Sequence, residues 1–219
     1  MFSVIFPGQG SQTVGMGKNL YNNFSYIKEL FDKADEILGI SLSNMILNGP
    51  KEELDQTENT QPAIFLVGYS IFQLIKKDFG INLNKASYFV GHSLGEYTAL
   101  VCAGSLTLER ATYLLHERGK SMQEAVAPDQ GAMIAVLGMN IDDVQKEINL
   151  LPKKEICEIA NDNCNGQIVV SGKKNDIDNL RENLKKKKKK GILLHVSAPF
   201  HCSLMKQASI KMKNKIECC

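Results

Sequence analysis

The sequence lacks any large excess of charge of one sign. Its 26 lysine and arginine residues are nearly balanced by 24 aspartate and glutamate residues, so the formal net charge is only +2 at pH 7. Domains that bind nucleic acid through phosphate contacts usually carry a clearly basic surface. The balance of charge therefore excludes a general basic character and predicts that nucleic acid is not a partner.

Long apolar runs and the cysteine patterns of metal sites or secreted proteins are also missing. No apolar stretch approaches the roughly 20 residues that span a bilayer. Residues 1–6 are apolar but contain no basic residue and end at Pro7, so we expect neither a signal peptide nor an anchor. The cysteines follow neither a Cys-x-x-Cys pattern nor dense disulfide spacing; they are Cys102, Cys157, Cys164, Cys202, Cys218 and Cys219. We expect reduced thiols, no metal site, no membrane partner and a cytoplasmic location.

The length and composition are those of an ordinary globular protein. The chain has 219 residues, of which 43% are hydrophobic and 23% are charged. This length is sufficient for one sizeable hydrophobic core, or for one core and a small satellite domain.

The most informative stretch is Gly91-His92-Ser93-Leu94-Gly95. Residues 87–90 predict a buried strand and the residues from Leu94 onward predict a helix. A serine in such a tight turn is held at the end of a sheet, and its hydroxyl faces the positive helix N-terminus. The Gly-x-Ser-x-Gly pattern alone is weak because glycine and serine are common residues. Its context strengthens the hypothesis that Ser93 is a nucleophile.

The N-terminal part of the chain predicts a sequence of strands and helices around this turn. Residues 3–6 predict a short buried strand, and residues 7–12 predict a glycine-rich loop that can bring backbone amides close to a ligand. Apolar spacing predicts an amphipathic helix over residues 19–38. A second helix should open at Gln61 with Pro62 in its first turn, end near Gly80, and lie centrally because it is apolar nearly all round. A third helix, residues 108–125, follows a capping stretch at residues 105–107.

Arg118 lies on the apolar face of this third helix, one turn beyond Leu114. An arginine in such a position usually extends its charge to solvent or pairs with a carboxylate. Ligand binding is the other interpretation, and the helical pattern leaves both open.

From Gly131 the pattern changes to alternating short strands and helices. Strands are predicted over 132–137, 156–160, 167–171 and 192–196, and helices over 140–150 and 175–189. This β-α-β-β-α-β order is typical of a ferredoxin-like domain. The run Lys185 to Lys190 falls at the end of the second helix, where it forms either a solvated face or a docking patch for an acidic partner.

A histidine follows the last predicted strand. His201 lies in the loop at residues 197–202, where the chain would return to the main domain. A loop histidine is often only a surface residue, but among the four histidines His201 is the best candidate for a general base.

Six short motifs together resemble the malonyl-CoA:acyl-carrier-protein transacylases. They are Phe6-Pro7-Gly8-Gln9-Gly10-Ser11-Gln12, Gly91-His92-Ser93-Leu94-Gly95-Glu96, Arg118-Gly119, Ala160-Asn161-Asp162-Asn163, Gln167-Ile168-Val169-Val170-Ser171-Gly172 and Ser197-Ala198-Pro199-Phe200-His201. The resemblance implies an α/β fold: an α/β-hydrolase-like large domain with a parallel sheet and a nucleophile elbow, and an inserted ferredoxin-like small domain. The large domain would comprise residues 1–127 and 197–219, and the small one residues 128–196.

The resemblance also implies a reaction and a role for each site residue. Malonyl would pass from malonyl-CoA to the phosphopantetheine thiol of acyl carrier protein, in fatty acid biosynthesis and without a further cofactor. The implied roles are nucleophile for Ser93, base for His201, oxyanion-binding backbone amides for Gln9 and Leu94, carboxylate binding for Arg118, and supporting roles for His92, Asn161 and Asn163.

Two alternatives accompany this interpretation. A serine esterase or thioesterase of the α/β-hydrolase type would need an acid between Ser93 and His201 in the chain. The available residues are Asp129, Asp142, Asp143, Asp162 and Asp176, none in a recognisable strand-end loop. The second alternative is a truncated remnant with little activity. Family members continue well beyond the His201 loop and supply a glutamine that orients this histidine, so we expect the 219-residue chain to be less stable and to turn over slowly.

Overall fold

The computed structural model describes residues 1–152, 155–194, 196 and 198–217. The predictions for Ser197, Cys218 and Cys219, and for position 195 in the last predicted strand, lie outside the described residues. The chain divides into two compact units, Met1–Lys120 and Ser121–Cys219. The domain boundaries implied by the resemblance, at residues 127 and 197, stay a prediction.

The first unit contains a parallel pair of strands. Strand β1 is Ser3–Phe6 and strand β2 is Tyr88–Gly91, paired from Ser3 with Tyr88 to Phe6 with Gly91. One face of the pair packs on the helices: Phe6 is buried and Phe89 half-buried against Phe72 and Leu83. The predictions that residues 3–6 and 87–90 form buried strands were wrong, because Phe6 alone of these residues is buried, and the other face of the pair is exposed. There Ile5, Tyr88 and Val90 are 73%, 67% and 48% exposed, because side chains alternate across a pleated strand and the helices of this unit pack on one side.

Seven helices accompany these strands among the described residues: α1 Lys18–Asn23, α2 Ser25–Leu38, α3 Leu42–Asn48, α4 Lys51–Leu54, α5 Thr57–Lys77, α6 Gly95–Cys102 and α7 Leu108–Glu124. The single helix predicted over residues 19–38 is two helices that meet at Phe24, whose backbone is extended. The Phe24 N–H closes α1 on the Leu20 carbonyl, while the Phe24 carbonyl accepts the Ile27 N–H and starts α2. The predicted buried face is confirmed at Ile27 and Phe31, which are fully buried.

Helix α5 is the central helix of the first unit, as expected from its apolar sequence. It starts at Thr57 rather than at Gln61, so Pro62 lies in its second turn. Proline has no N–H for the carbonyl four residues before it, which here belongs to Glu58. The His116 Nδ1 of α7 hydrogen-bonds with that carbonyl at 3.1 Å. A contact with a distant helix therefore supplies the partner that Pro62 lacks.

The second unit is built around an antiparallel sheet. Its elements are β3 Gly131–Leu137, α8 Ile141–Asn149, β4 Cys157–Cys164, β5 Gln167–Lys173, α9 Lys174–Lys186, β6 Lys190–Leu193 and α10 Lys206–Glu217. The predicted order of strands and helices is confirmed up to β6, and the strands are arranged β4-β5-β3-β6. A core that includes Ile134, Val136, Ile168 and Leu180 is fully buried between the sheet and its helices.

The ends of α9 and β6 differ from the predicted ends. Helix α9 stops at Lys186 rather than at residue 189, and β6 starts at Lys190 rather than at residue 192. Lys188 has a left-handed backbone with φ 56°, and the Lys189 N–H donates to the Leu184 carbonyl at 2.8 Å. This turn ends the helix inside the lysine run. All six lysines are exposed.

Within the described residues, no helix combines the length and the apolar content that crossing a bilayer requires.

Candidate active site

Ser93 lies in the tight turn between β2 and α6. Its backbone is left-handed, with φ 53°. A Cβ on Gly91 would lie 1.9 Å from the Gly95 carbonyl carbon, and a Cβ on Gly95 would lie 2.6 Å from the Phe6 oxygen. A left-handed non-glycine residue costs on the order of 1–3 kcal/mol and persists only where the surroundings fix it. The two glycines therefore let the chain pass close enough to β1 to hold Ser93 in this conformation.

The two residues expected to supply oxyanion-binding amides lie in and next to this turn. Leu94, which is buried, immediately precedes helix α6. Gln9 lies in the glycine-rich loop that follows β1. Among the backbone–backbone hydrogen bonds of loops, turns and caps in the described residues, none is donated by the Leu94 or the Gln9 N–H. Unsatisfied N–H groups at a helix start are suited to stabilising negative charge.

The Arg118 guanidinium reaches Ser93 directly. Its Nη2 donates to the Ser93 Oγ at 3.1 Å, and its Nη1 donates to the Gln61 Oε1 at 2.6 Å. The guanidinium carbon lies 6.0 Å from the centre of the Tyr97 ring. Burial lowers the pKa of Arg118, although an arginine stays protonated at neutral pH. None of the ion pairs formed by the described residues includes Arg118, so pairing with a carboxylate, one of the alternatives left open by the sequence, is not seen there.

Close helix packing fixes the position of Arg118. A Cβ on Gly119 would lie 2.4 Å from the Thr57 oxygen and 2.5 Å from the Glu58 Cα, so α7 touches the first turn of α5. Sequence reasoning missed Gln61 as the partner of Arg118. The available signal was a polar residue directly before the apolar run that begins at Pro62, and in the structure Gln61 is only 1% exposed.

The glycine-rich loop packs against the Ser93 turn. A Cβ on Gly8 would lie 2.5 Å from the His92 Nδ1, so His92 supports this loop by close contact. The Gly10 N–H donates to the Gln12 Oε1 at 2.8 Å, and the Gln12 Nε2 donates to the Asp55 Oδ1 at 3.0 Å. These bonds give the loop an ordered course although it contains two glycines.

The second unit carries the remaining predicted site residues. His201 is exposed and left-handed, with φ 58°, and it follows the buried Phe200. The Glu158 carboxylate of β4 accepts the Ser203 N–H at 2.8 Å and the Ser203 hydroxyl at 2.6 Å, which fastens the turn just after His201. Sequence reasoning missed Glu158.

Asn161 and Asn163 lie on β4, where the pairing with β5 shifts register between Ile159 and Asn161 and again between Asp162 and Cys164. The structure thus places Ser93, Gln9, Leu94, Arg118 and His92 in the first unit and His201, Asn161 and Asn163 in the second. No group of three metal-ligating side chains occurs in the part of the chain that the structure describes.

The model of the acyl transferase domain family matches residues 3–217. The chain belongs to the acyl transferase domain family. The malonyl CoA-acyl carrier protein transacylase of Bacillus subtilis is 42% identical over 217 residues, which cover 98% of this chain and 67% of that protein. The protein of the same name from Escherichia coli is 37% identical over 212 residues, covering 96% and 68%. This acyl transferase chain thus spans about two thirds of the length of these relatives.

Solved structures of malonyltransferases are also similar to this chain. The acyl-carrier-protein-S-malonyltransferase of Bartonella henselae superposes with a TM-score of 0.93 at 40% identity, covering 99% of this chain and 70% of that one. The structure of a type II PKS acyl-carrier protein in complex with its malonyl-transacylase gives a TM-score of 0.93 at 36% identity, covering 99% and 69%. The acyl transferase fold, with its α/β content and parallel strands, is therefore established for this chain.

Replacing Gly95 with alanine should destabilise the protein. The added Cβ would lie 2.6 Å and 2.7 Å from the Phe6 and Pro7 oxygens, which are backbone atoms that cannot easily move. Overpacking typically costs about 1–3 kcal/mol, and each 1 kcal/mol lowers the melting temperature of a domain this size by roughly 2–4 °C. Thermal unfolding followed by circular dichroism measures this change.

Gly68 of α5 provides the matched control. A Cβ there would lie 3.6 Å from Thr98 Cγ2, which is an ordinary contact. Because alanine is favoured over glycine inside a helix by roughly 0.5–1 kcal/mol, Gly68→Ala should leave the melting temperature unchanged or raise it. Equal effects of the two substitutions would contradict the role given to the close approach at Gly95.

Proposed function

We propose that this protein transfers malonyl from malonyl-CoA to the phosphopantetheine thiol of acyl carrier protein, through a malonyl ester on Ser93, in fatty acid biosynthesis. The chain is similar along nearly its whole length to proteins named for this reaction. These relatives support an [acyl-carrier-protein] S-malonyltransferase activity, with malonyl-CoA and acyl carrier protein as the two partners.

One observation supports malonyl as the acyl group that is transferred. A guanidinium without an ion-pair partner among the described residues donates to the hydroxyl of the candidate nucleophile, at 3.1 Å. In a malonyl ester of Ser93, a single methylene separates the acyl carbon from a free carboxylate. Arginine binds a carboxylate with two parallel hydrogen bonds, which acetyl cannot use. Arg118 is thus suited both to binding malonyl and to selecting it.

The chemistry follows from the proposed roles. His201 takes the Ser93 proton while Oγ attacks the thioester carbonyl, and the Gln9 and Leu94 amides stabilise the oxyanion. The C–S bond then breaks, and His201 returns the proton to the leaving coenzyme A thiolate. In the second half, His201 deprotonates the phosphopantetheine thiol, whose sulfur attacks the ester carbonyl. The acyl C–Oγ bond then breaks, and His201 returns the proton to the Ser93 Oγ. His92, Asn161 and Asn163 have supporting roles.

The finer description of the fold belongs to the same proposal. We assign the α/β-hydrolase-like type to residues 1–127 and 197–219 and the ferredoxin-like type to residues 128–196. The β-α-β-β-α-β order and the strand arrangement β4-β5-β3-β6 support the second assignment. We propose that no cofactor takes part besides malonyl-CoA as substrate, and a cytoplasmic location remains a prediction.

The esterase alternative is less well supported. Three of its five candidate acids have other partners: Asp129 pairs with Lys174, Asp143 pairs with Lys146, and Asp176 accepts the N–H groups of Glu155 and Ile156. Asp176, which is buried and accepts two N–H groups, is occupied by them, whereas the exposed ion pairs of Asp129 and Asp143 are weak.

Intact mass spectrometry distinguishes these functions. After incubation with malonyl-CoA, the protein should gain the mass of one malonyl group, and added holo acyl carrier protein should then take up that group. Acetyl-CoA should label the protein much less. Equal labelling by acetyl-CoA would contradict the assigned specificity, and an adduct lost to water at the same rate with or without carrier protein would indicate an esterase.

A further inference from the structure

The side chain of Gln12 connects the glycine-rich loop to the start of α5. Its Oε1 accepts the Gly10 N–H at 2.8 Å and its Nε2 donates to the Asp55 Oδ1 at 3.0 Å. Gln12 is part of the first sequence motif, but the reaction scheme gives it no role. Gly10, the residue after Gln9, has φ 106°, a conformation open mainly to glycine.

The two partners of Gln12 fix the orientation of its amide. A backbone N–H only donates, whereas an ionised carboxylate only accepts. The Gln12 carbonyl must therefore face Gly10 and its NH₂ group must face Asp55. Asp55 also pairs with Lys51, and hydrogen bonds from Lys51 and Gln12 lower the pKa of this carboxyl, which keeps it ionised at neutral pH.

Asp55, the partner of the Gln12 NH₂ group, lies close in the chain to other parts of the site. Asp55 is the C-cap of α4 and lies two residues before α5. The Gln9 Nε2 donates a hydrogen bond to the Oγ1 of Thr57, the first residue of α5, at 3.4 Å. Gln61 of the same helix accepts a hydrogen bond from Arg118. The start of α5 thus contacts both the loop of the Gln9 amide and the guanidinium.

We propose that Gln12 is a positioning residue: by holding the Gly10 N–H it fixes the Gln9–Gly10 peptide unit, and through it the conformation of Gln9, whose own N–H in the preceding peptide unit is the oxyanion donor. This inference rests on the proposed function, because it takes the Gln9 amide as an oxyanion donor. An oxyanion exists only along the reaction path and not in the bound substrate. Loss of the hydrogen bonds that connect Gly10 through Gln12 to Asp55, the Gln12 bridge, therefore slows acylation of Ser93 without weakening binding of malonyl-CoA.

Two variants test the Gln12 bridge. The second of them reverses the direction of the hydrogen bond between residues 12 and 55. In Gln12→Glu the introduced carboxylate faces the Asp55 carboxylate, and the two repel each other. In the double variant Gln12→Glu/Asp55→Asn, the asparagine NH₂ donates to the introduced carboxylate and the asparagine oxygen accepts from Lys51, so the connection to Gly10 is restored. Gln145→Glu, at an exposed position of α8, adds the same charge in the second unit and is the matched control.

The measurement is single-turnover acylation of Ser93 at increasing malonyl-CoA concentration. It gives the maximal rate of acylation and the malonyl-CoA concentration at half of that rate. The amplitude gives the fraction of the protein that can be acylated. Losing an oxyanion donor outright costs roughly 10²–10³ in rate, and losing its positioning should cost less. We expect Gln12→Glu to lower the maximal rate about 10-fold or more, with unchanged half-saturation, and the double variant to recover most of that loss.

The possible results separate the inference from the function on which it rests. A Gln12→Glu variant with wild-type maximal rate overturns the inference, and so does a double variant as slow as the single one. A loss confined to the amplitude shows a purely structural role and also overturns it. Failure of the wild-type chain to acylate Ser93 at all refutes the proposed function instead.

Discussion

Replacing Ser93 with alanine should abolish the malonyl adduct while leaving the fold unchanged. The Oγ is the only atom removed, and alanine must adopt the same left-handed backbone as serine. Loss of a serine nucleophile in a comparable Ser-His enzyme costs roughly 10⁶ in turnover. Intact mass measurement after incubation with malonyl-CoA should therefore show the unmodified mass of the variant.

Ser25→Ala is the matched control because Ser25 is an exposed serine at the start of α2. It should be labelled as fast as the wild type. Peptide mapping then checks the site of the adduct. Burial raises the pKa of the Cys102 thiol to about 12 and raises that of Cys202, so both are poor nucleophiles at neutral pH. An adduct on a cysteine, or one that persists in Ser93→Ala, would refute the assignment of the nucleophile.

The Ser93 turn could be predicted from the sequence because its causes are local. The pattern changes from strand to helix within a few residues, and Gly91 and Gly95 occupy the two positions where a Cβ would meet backbone atoms. The capping stretch before α7 is another local feature, and the Thr107 Oγ1 does accept the Arg110 N–H at 3.2 Å. Interactions within a few residues are legible in the sequence itself.

Features that depend on distant partners could not be predicted. Gln61 is 57 residues from Arg118 and Glu158 is 45 residues from Ser203, so no local pattern connects them. The early start of α5 has a similar origin, since a partner from α7 satisfies the Glu58 carbonyl that Pro62 leaves free. A sequence pattern shows which side chains are polar, but only the fold shows which of them meet.

The partners of Arg118 could not be predicted from the sequence either. Its helical position left surface extension, carboxylate pairing and ligand binding open. In the structure, its guanidinium contacts the hydroxyl of Ser93 and the amide of Gln61. Both are neutral acceptors, so its charge is available for an anionic substrate group.

Arg118→Ala should therefore lower malonyl transfer far more than acetyl transfer. Loss of a hydrogen bond to a charged group costs about 1.5–3 kcal/mol, and each 1.36 kcal/mol is a tenfold change in rate. We expect kcat/KM for malonyl-CoA to fall about 10- to 150-fold, while that for acetyl-CoA, which has no carboxylate to bind, changes little. The ratio of the two specificity constants is the measured quantity.

Two further variants make this result specific. Arg118→Lys keeps the positive charge but cannot form two parallel hydrogen bonds, so it should restore malonyl transfer only in part. Arg181→Ala removes an exposed arginine from α9 and should leave both specificity constants unchanged. If Arg118→Ala instead lowers malonyl and acetyl transfer equally, the arginine acts by holding Ser93 and Gln61 in place, and the basis for malonyl selectivity must lie in another side chain.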